Sequence, residues 1–409
     1  MPEPKWTLYI NGKEIIINSA KFLKTMDTGA DALNVNTPWE PGKDTEIDEA
    51  LRAYGYQDTE LYIDDELQMM GRLYNVSPKF SKSGISKDLE IFSKTADIID
   101  STVVYPYEAN NIGLLARCKQ QCEKFGINVL IDAGVELYKW QSVPVERYVR
   151  VKEKELSFDA DKTFLNSLQK TAFDESQKVI KKYNADVEVF EAVQGRKMVY
   201  QEIKFPRVSA KQTDKIFDHL KKLAIQRGYL LSCTIRGDLL ITKAQTNSQP
   251  VGTIRVETGI SDQYLAKFNG RNRFKFYKAI ASSSRSNRAR KSGTATDNAV
   301  PINRFLTFSA GDSIPGQAKN AAEWRKNKVA ADSMPLSFPV NTIFDENGKI
   351  WKPNTTITVI SPELEIKNGF TFLINQVELD YVASGSTGVL KLKPPSVYTT
   401  GEIKEPWLE

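Results

Sequence analysis

The sequence predicts a β-rich α+β protein, with two related β-barrel domains bracketing α/β elements and a small module inserted between them. Three observations predict it. Short runs of alternating apolar and polar residues, separated by turn residues, fill residues 6–100 and return after 250, the pattern of half-buried antiparallel strands. Helix-then-strand units occur twice between them, at 110–131 and 213–243. The two β-rich segments also echo each other. Asn75, Ser83-Gly84 and the run LEIF in the first resemble Asn375, Ser384-Gly385 and LKLK in the second, as a duplicated unit would.

In chain order, Asn11-Gly12 lies between strand-like runs at 6–10 and 14–18. It is the strongest short hairpin signal, because a two-residue type I′ turn needs φ > 0 at both positions. Residues 34–59, with Pro38, Trp39, Pro41 and Gly42, read as a long polar loop. Runs at 61–63 and 67–70 flank Asp64-Asp65-Glu66, and runs at 73–80 and 89–93 flank a turn at 82–84. This spacing suggests a small barrel or sandwich; a barrel domain is assigned to 1–100, completed by parts of 229–248.

Residues 101–135 and 205–248 form the expected α/β domain. Asn110 or Asn111 can cap a helix in which Ile112, Leu115, Ala116 and Cys122 share a face, Gly126 ends it, and a strand follows at 127–131. The scheme repeats with Thr213 as cap, Ile216, Phe217, Leu220, Leu223 and Ala224 facing inward, and Gly228 at the end. Strands at 229–235 and 239–243 then pair across Arg236-Gly237-Asp238. That tripeptide matches an integrin-binding motif, but Gly-Asp at a turn serves the backbone. Residues 136–204 read as an inserted peripheral α/β module. It holds a strand at 145–151, an amphipathic helix at 161–183 through Phe164, Leu165, Leu168, Val179 and Ile180, and a hairpin about Gly195.

The second barrel domain is assigned to 249–400, followed by a C-terminal tail at 401–409. A helix at 316–332 has Pro315 near its start and Pro335 past its end. Strands follow at 336–342, 356–361, 370–383 and 388–393. Before the helix, 282–309 opens as a polar cationic loop carrying Arg285, Arg288, Arg290 and Lys291 and closes as a strand at 304–309, with Leu306 and Phe308 on one face. Such an arm suits an anionic partner, nucleic acid included, or simply a solvated connection.

The chemistry is sparse. A net charge of +5 over 409 residues is too mild for a dedicated DNA-binding protein. No run of about 18 apolar residues exists, and the N-terminus has no charged-then-apolar leader. The cysteines, Cys118, Cys122 and Cys233, lack metal-ligand spacing and read as core thiols, and the one histidine, His219, falls in a helix beside Leu220 and Lys221. His219 would have to serve any Ser-His-Asp triad, and no G-x-S-x-G accompanies it. Glu153, Glu155, Asp159 and Asp161 are the dense acidic cluster. They lack EF-hand spacing and read as a solvated face. No carboxylate pair stands out for glycoside hydrolysis. No catalytic, metal or cofactor site is assigned, and an enzyme is not expected.

Several runs then come in a telling order. TADIIDS (95–101), Phe205-Pro206, RGYLLS (227–232) and DLLIT (238–242) precede RKSGTATDNAV (290–300), the Ala-rich basic helix at 317–331, NGKIWKPNTTITV (347–359) and the closing KEPWLE (404–409). In this order they resemble the baseplate hub proteins of phage Mu and its relatives among contractile tails. The resemblance is dense over 290–360, scattered in the N-terminal segment, and breaks over 136–204. It implies a homotrimer in which three chains present six barrels, a symmetry adaptor joining a sixfold tail tube to a threefold central spike around a channel. Implied partners are the central spike protein, tail tube or tube-initiator proteins, baseplate wedge proteins and the tape-measure protein, with DNA only in transit. The implied location is the virion's tail baseplate, after synthesis in the bacterial host cytoplasm. Arg285, Arg288, Arg290, Lys291 and Trp351 are the candidate contact residues. The alternatives are a tail-associated cell-wall hydrolase, or a nucleic-acid-binding protein using 285–291.

Overall fold

Asn11 and Gly12 adopt φ of 51° and 76°, and the chain reverses there between β1 (Trp6–Ile10) and β2 (Lys13–Ile15). The computed structural model describes residues 3–26, 28–82, 84–151, 189–255, 264–280, 292–310, 317–398 and 406. They fall into two units, Met1–Val135 with Lys204–Glu409, and Glu136–Ile203.

In the larger unit, β3 (Ser19–Thr25) and β4 (Ala32–Pro38) follow the first hairpin. The loop expected at 34–59 is therefore partly strand. Leu33, Val35 and Thr37 point inward while Asn34, Asn36 and Pro38 point out or lie half-buried, so polar residues on the outer face disguise a regular alternation. The same stretch holds α1 (Thr45–Ala50), where the Asp44 carboxylate accepts from the backbone N–H of Glu46 and Ile47 at 3.0 and 3.2 Å, a side-chain N-cap. β5 (Asp58–Ile63) and β6 (Glu66–Ser81) turn at Asp64-Asp65, both at positive φ. β7 (Gly84–Ser93) returns along β6, and α2 (Ala96–Asp100) follows.

Next come β8 (Glu108–Gly113), α3 (Leu114–Cys122) and β9 (Val129–Ile131). The helix does not start at Asn110 or Asn111. Asn111 has φ of 54°, and residues 108–113 pair with β12 instead. Starting at Leu114, the helix buries Leu114, Leu115, Cys118 and Cys122 and exposes Ala116. In the smaller unit, β10 (Tyr138–Val151) and β11 (Val189–Glu202) form one long antiparallel ladder with Val145 opposite Gly195. Gly195 thus lies mid-strand rather than at a hairpin. The helix expected at 161–183 lies outside the described residues.

Back in the larger unit, β12 (Lys204–Ser209) pairs with β8. Helix α4 (Ile216–Gln226) buries the five apolar residues expected and His219 as well. Its N-cap position is Lys215, so Thr213 does not cap it. β13 (Leu230–Cys233) and β14 (Leu239–Thr242) form a hairpin, and β14 runs parallel to β9. Both helix-then-strand units therefore meet in one three-stranded sheet, separate from the strands of 6–93.

The C-terminal part holds β15 (Thr253–Ile254), β16 (Leu265–Ala266), β17 (Phe276–Ile280), β18 (Ser292–Thr296), β19 (Phe305–Ser309), α5 (Gln317–Asp332), β20 (Leu336–Val340), β21 (Thr356–Ser361), β22 (Ile366–Val382) and β23 (Gly385–Lys393). Its main strands join those of the N-terminal part in a single sheet of order β16-β20-β23-β22-β3-β4-β7-β6-β5-β1-β2, with β21 on β22 and β15 on β21. Among the described residues these pairings trace an open path. One core runs through it, from Phe22, Leu33 and Ile91 to Phe338, Phe372 and Leu390.

The sequence echo has a structural counterpart. Leu73 faces Ile91 as Ile374 faces Leu392; Asn75 faces Glu90 as Gln376 faces Lys391; Ser81 faces Gly84 as Val382 faces Gly385. A register shift falls at the same step in both, leaving Tyr74 and Asn375 as the bulged residues. Bulges re-aim a strand and pin its register, so a shared bulge at a shared step marks the two hairpins as copies of one design. Asn375 therefore corresponds to Tyr74, one residue away from the Asn75 that the sequence echo suggests.

Candidate assembly surfaces

The N- and C-terminal β segments meet where β3 pairs antiparallel with β22, Ser19 opposite Val382 through Thr25 opposite Gln376. Glu378 is the polar centre of this joint. Its carboxylate accepts from Lys21 Nζ at 2.8 Å, Lys391 Nζ at 2.6 Å and Gln376 Nε2 at 2.8 Å. Burial works to raise the Glu378 pKa, but the hydrogen bonds from Lys21 and Lys391 outweigh it and hold the carboxyl below its ordinary value. Asp380, on the same strand, is shifted the other way, because burial outweighs the attraction of Lys21.

A second surface is the sheet β18-β17-β19 with α5 packed on one side. At Gly293 a Cβ would lie 2.1 Å from the Lys319 backbone nitrogen, so only glycine lets this strand touch the helix backbone. Tyr277, Ala279, Ala295 and Ala322 fill the small core. The opposite face carries Phe276 stacked on Phe305, centroids 4.9 Å apart, and Phe305 is 70% exposed. Arg304 lies over the Phe274 ring at 4.8 Å. Arg273 holds the buried Asp297 through two bonds, at 2.7 and 3.2 Å.

This sheet absorbs the second half of the cationic arm. Residues 292–296 are strand, not loop, and the signal that could have found it is the inward alternation of Gly293 and Ala295 between Ser and Thr. Leu306 and Phe308 turn toward the helix and Phe305 and Thr307 away from it. Ile280 pairs with Ser292, so 281–291 connect two neighbouring strand ends. Arg285, Arg288, Arg290 and Lys291 lie outside the described residues, as do Glu153, Glu155, Asp159 and Asp161.

Trp351 is not on the surface. It is 1% exposed, and its indole N–H donates to the Thr342 carbonyl at 3.1 Å. The backbone N–H of Trp351 donates to Ile343. The run that carries it is thus a core strap closed by the turn at Asp345, whose carboxylate accepts from the N–H groups of Asn347 and Lys349. The expectation that Trp351 is a contact residue is thus corrected: it is a core residue of this chain.

Cys118 and Cys122 lie in the core as expected and Cys233 is half-buried, while two further titratable groups, Arg117 and His219, are buried beside them. Arg117 is fully buried; it donates to the Pro106 carbonyl at 2.8 Å and to Gln120 Oε1 at 2.7 Å, and approaches His219 Nε2 at 3.5 Å. Burial first, and then Arg117, push His219 down to about 4, so the ring is neutral at pH 7. Burial pushes Cys122 up to about 12. It also raises Cys233, with Asp31 adding to the effect. Thiols so shifted are not nucleophiles. Among the described residues, no group of three or more His, Cys, Asp or Glu could hold a metal ion, and no helix is long and apolar enough to cross a membrane.

No protein-family model matches the sequence, and no curated protein matches it. Solved structures do. The chain is similar to the 43 kDa tail protein of prophage MuSo2 from Shewanella oneidensis, with a TM-score of 0.67 and 18% identity over 96% of this chain and 99% of that one. It is similar to the tail protein from Neisseria meningitidis MC58, with a TM-score of 0.69 and 13% identity over 97% of this chain and 98% of that one. The prophage tail protein gp18 from Listeria monocytogenes EGD-e matches with a TM-score of 0.51 and 10% identity over 94% of each chain. At these identities the likeness is one of fold, and the chain carries the fold of prophage tail proteins over nearly its whole length.

Proposed function

We propose that the chain is a structural hub protein of a contractile phage tail baseplate. It assembles as a homotrimer, lines the central channel, and adapts the sixfold tail tube to the threefold central spike. The observation that carries the reading is the repeated hairpin, with its shared register and shared bulge. A subunit with two equivalent β units lets three chains present six similar surfaces to a sixfold partner. A closed ring leaves no contact unsatisfied. The full-length fold likeness to tail proteins supports the tail as the setting.

On this reading each β segment wraps as a barrel wall and the two alternate around one ring. The tube or tube-initiator proteins and the tape-measure protein meet one face, the spike meets the other, and wedge proteins meet the flank. DNA passes only in transit. Arg285, Arg288, Arg290 and Lys291 contact the spike or an adjacent subunit, residues 136–204 form a peripheral module, and the protein performs no catalysis. It is made in the host cytoplasm and ends in the virion. The test is a mass measurement on the purified chain by light scattering, with imaging of intact tail tips. A trimer, with both β segments in the channel wall, is the expected result. A monomer within intact tails, a ring of six identical chains, or a channel wall built from one segment overturns it.

A further inference from the structure

The repeat is incomplete in one informative place. Along β22, residues 376–382 have β23 on one side and β3 on the other. The equivalent stretch of β6, residues 75–81, has β7 on one side and, among the described residues, no strand on the other. Among the described residues a second edge is open, on β16, the counterpart of β3. β3 pairs with β4, Lys21 opposite Asn34 and Phe22 opposite Leu33, and these face Glu90 and Ile91 of β7. β16 pairs with β20 in the same way, Leu265 opposite Ser337 and Ala266 opposite Leu336, and these face Lys391 and Leu392 of β23. Lys391 and Leu392 are the repeat equivalents of Glu90 and Ile91. Leu265 therefore stands where Lys21 stands, and Ala266 where Phe22 stands.

We propose that the β6 edge of one copy of this chain pairs antiparallel with the β16 edge of the next copy, reproducing between chains the joint that β22 and β3 make within one. Transferring that joint's pairs puts Phe80 opposite Tyr264, Lys79 opposite Leu265, and Pro78 opposite Ala266. The inference rests on the ring reading above. A chain cannot make this contact with itself in the described sheet, since β16 ends the path and β6 lies seven strands along it. The contact is head-to-tail, the kind that generates rings.

Backbone direction agrees. Lys267 and Asn269 donate to the carbonyls of Pro335 and Ser333 beside β20. Backbone polar groups alternate in direction along an extended strand, so those of Ala266 and Tyr264 turn to the open side. Pro78 lacks an N–H, which a sheet tolerates at an edge, and its carbonyl remains an acceptor. The side chains agree too. Phe80 is 85% exposed and Leu265 is 72% exposed. At the joint within the chain, the equivalent of Phe80 is Tyr381, which is half-buried and stacks on Trp6 at 5.6 Å. The Lys21–Glu378 ion pair has Leu265 and Ser77 as its counterparts, so the joint between chains replaces a charged contact with an uncharged one. That difference keeps the two joints from exchanging partners.

The experiment uses the full chain with Lys79→Cys and Leu265→Cys together. In the transferred register this is a non-hydrogen-bonded pair, with Cα atoms about 4.5 Å apart, within disulfide range. Mild oxidation of the assembled protein should convert the double variant to covalent multimers on a non-reducing gel, at least tenfold above either single variant. Reductant should reverse them. Phe80→Cys with Leu265→Cys, one residue out of register, should not cross-link, because neighbouring side chains point to opposite faces. If the protein assembles by mass but the matched pair cross-links no better than the single variants, the edge pairing is wrong and the ring reading stands. If no assembly forms alone or in intact tails, both fail.

Discussion

Replacing Glu378 by Ala should loosen the joint between the two β segments by a predictable amount. The wild-type carboxylate accepts two ammonium donors and one amide donor, all within 2.8 Å. Its side chain is 13% exposed, whereas Lys21 and Lys391 are 51% and 45% exposed. Both freed ammonium groups therefore rehydrate, and each ion pair, screened by solvent, contributes about 0.5 kcal/mol. The lost amide bond adds about 1 kcal/mol. The expected loss is about 2 kcal/mol, read as a lower urea midpoint at pH 7 with an unchanged slope. The pH dependence has a definite sign. The folded carboxyl is held below its ordinary value of 4.5, so its contribution is present above that value and disappears as pH falls through the folded one. The gap between wild type and variant should close toward pH 3. A gap below about 0.5 kcal/mol at pH 7, or one that persists unchanged in acid, would refute the reasoning.

Four further outcomes follow from single features. Trp351→Phe should cost about 1–3 kcal/mol in thermal or urea unfolding, because it leaves the half-buried Thr342 carbonyl without its indole donor; no loss would mean water replaces the bond. Gly29→Ala should destabilise by about 2–4 kcal/mol, since φ is +73° and a Cβ would lie 2.1 Å from the Phe217 ring, and Phe217→Leu in the same chain should recover part of it. His219→Leu should flatten the stability curve between pH 6.5 and 4, where the wild type loses stability because its folded imidazole is held below its ordinary value; equal slopes in the two proteins would exclude that role. The triple variant Arg285→Ala, Arg288→Ala, Arg290→Ala should melt as wild type yet assemble more weakly with spike or neighbour, the more so at low salt, and a loss confined to DNA affinity would favour the nucleic-acid alternative.

Legibility in the sequence tracked how local each signal is. Asn11-Gly12 and Asp64-Asp65 encode their turns in two residues, and α4 carries its buried stripe in a single period. The strand at 356–361 was readable from its own alternation. What failed depended on distant partners. Residues 108–113 contain Asn110 and Asn111, good helix caps, yet they are strand because β12 lies beside them. β18 has only Gly and Ala on its inner face, too small to register as hydrophobic, because a helix backbone presses there. The joint of β3 with β22 unites residues from opposite ends of the sequence, and nothing near Ser19 announces it. Half of the candidate site was visible as the echo between the hairpins; the open edges it leaves were not, since an edge is defined by what fails to pair. Trp351 was misjudged because a short motif does not say which side of it is inside.

The same joint sets a timetable for synthesis. A ribosome has made Ser19–Thr25 long before it reaches Ile366–Val382, so β3 waits with one flank bare through most of translation. Bare flanks recruit stray strands, and pairings this distant form slowly. A chain cut short before β22 never covers that flank and should be recruited into aggregates. Only a chain that extends through β22 can hide its own beginning, which makes this late strand a proofreading step on an early one. Co-translational release should therefore be the moment at which solubility is decided, and a C-terminal deletion ending before 366 should pellet where the full chain stays in the supernatant.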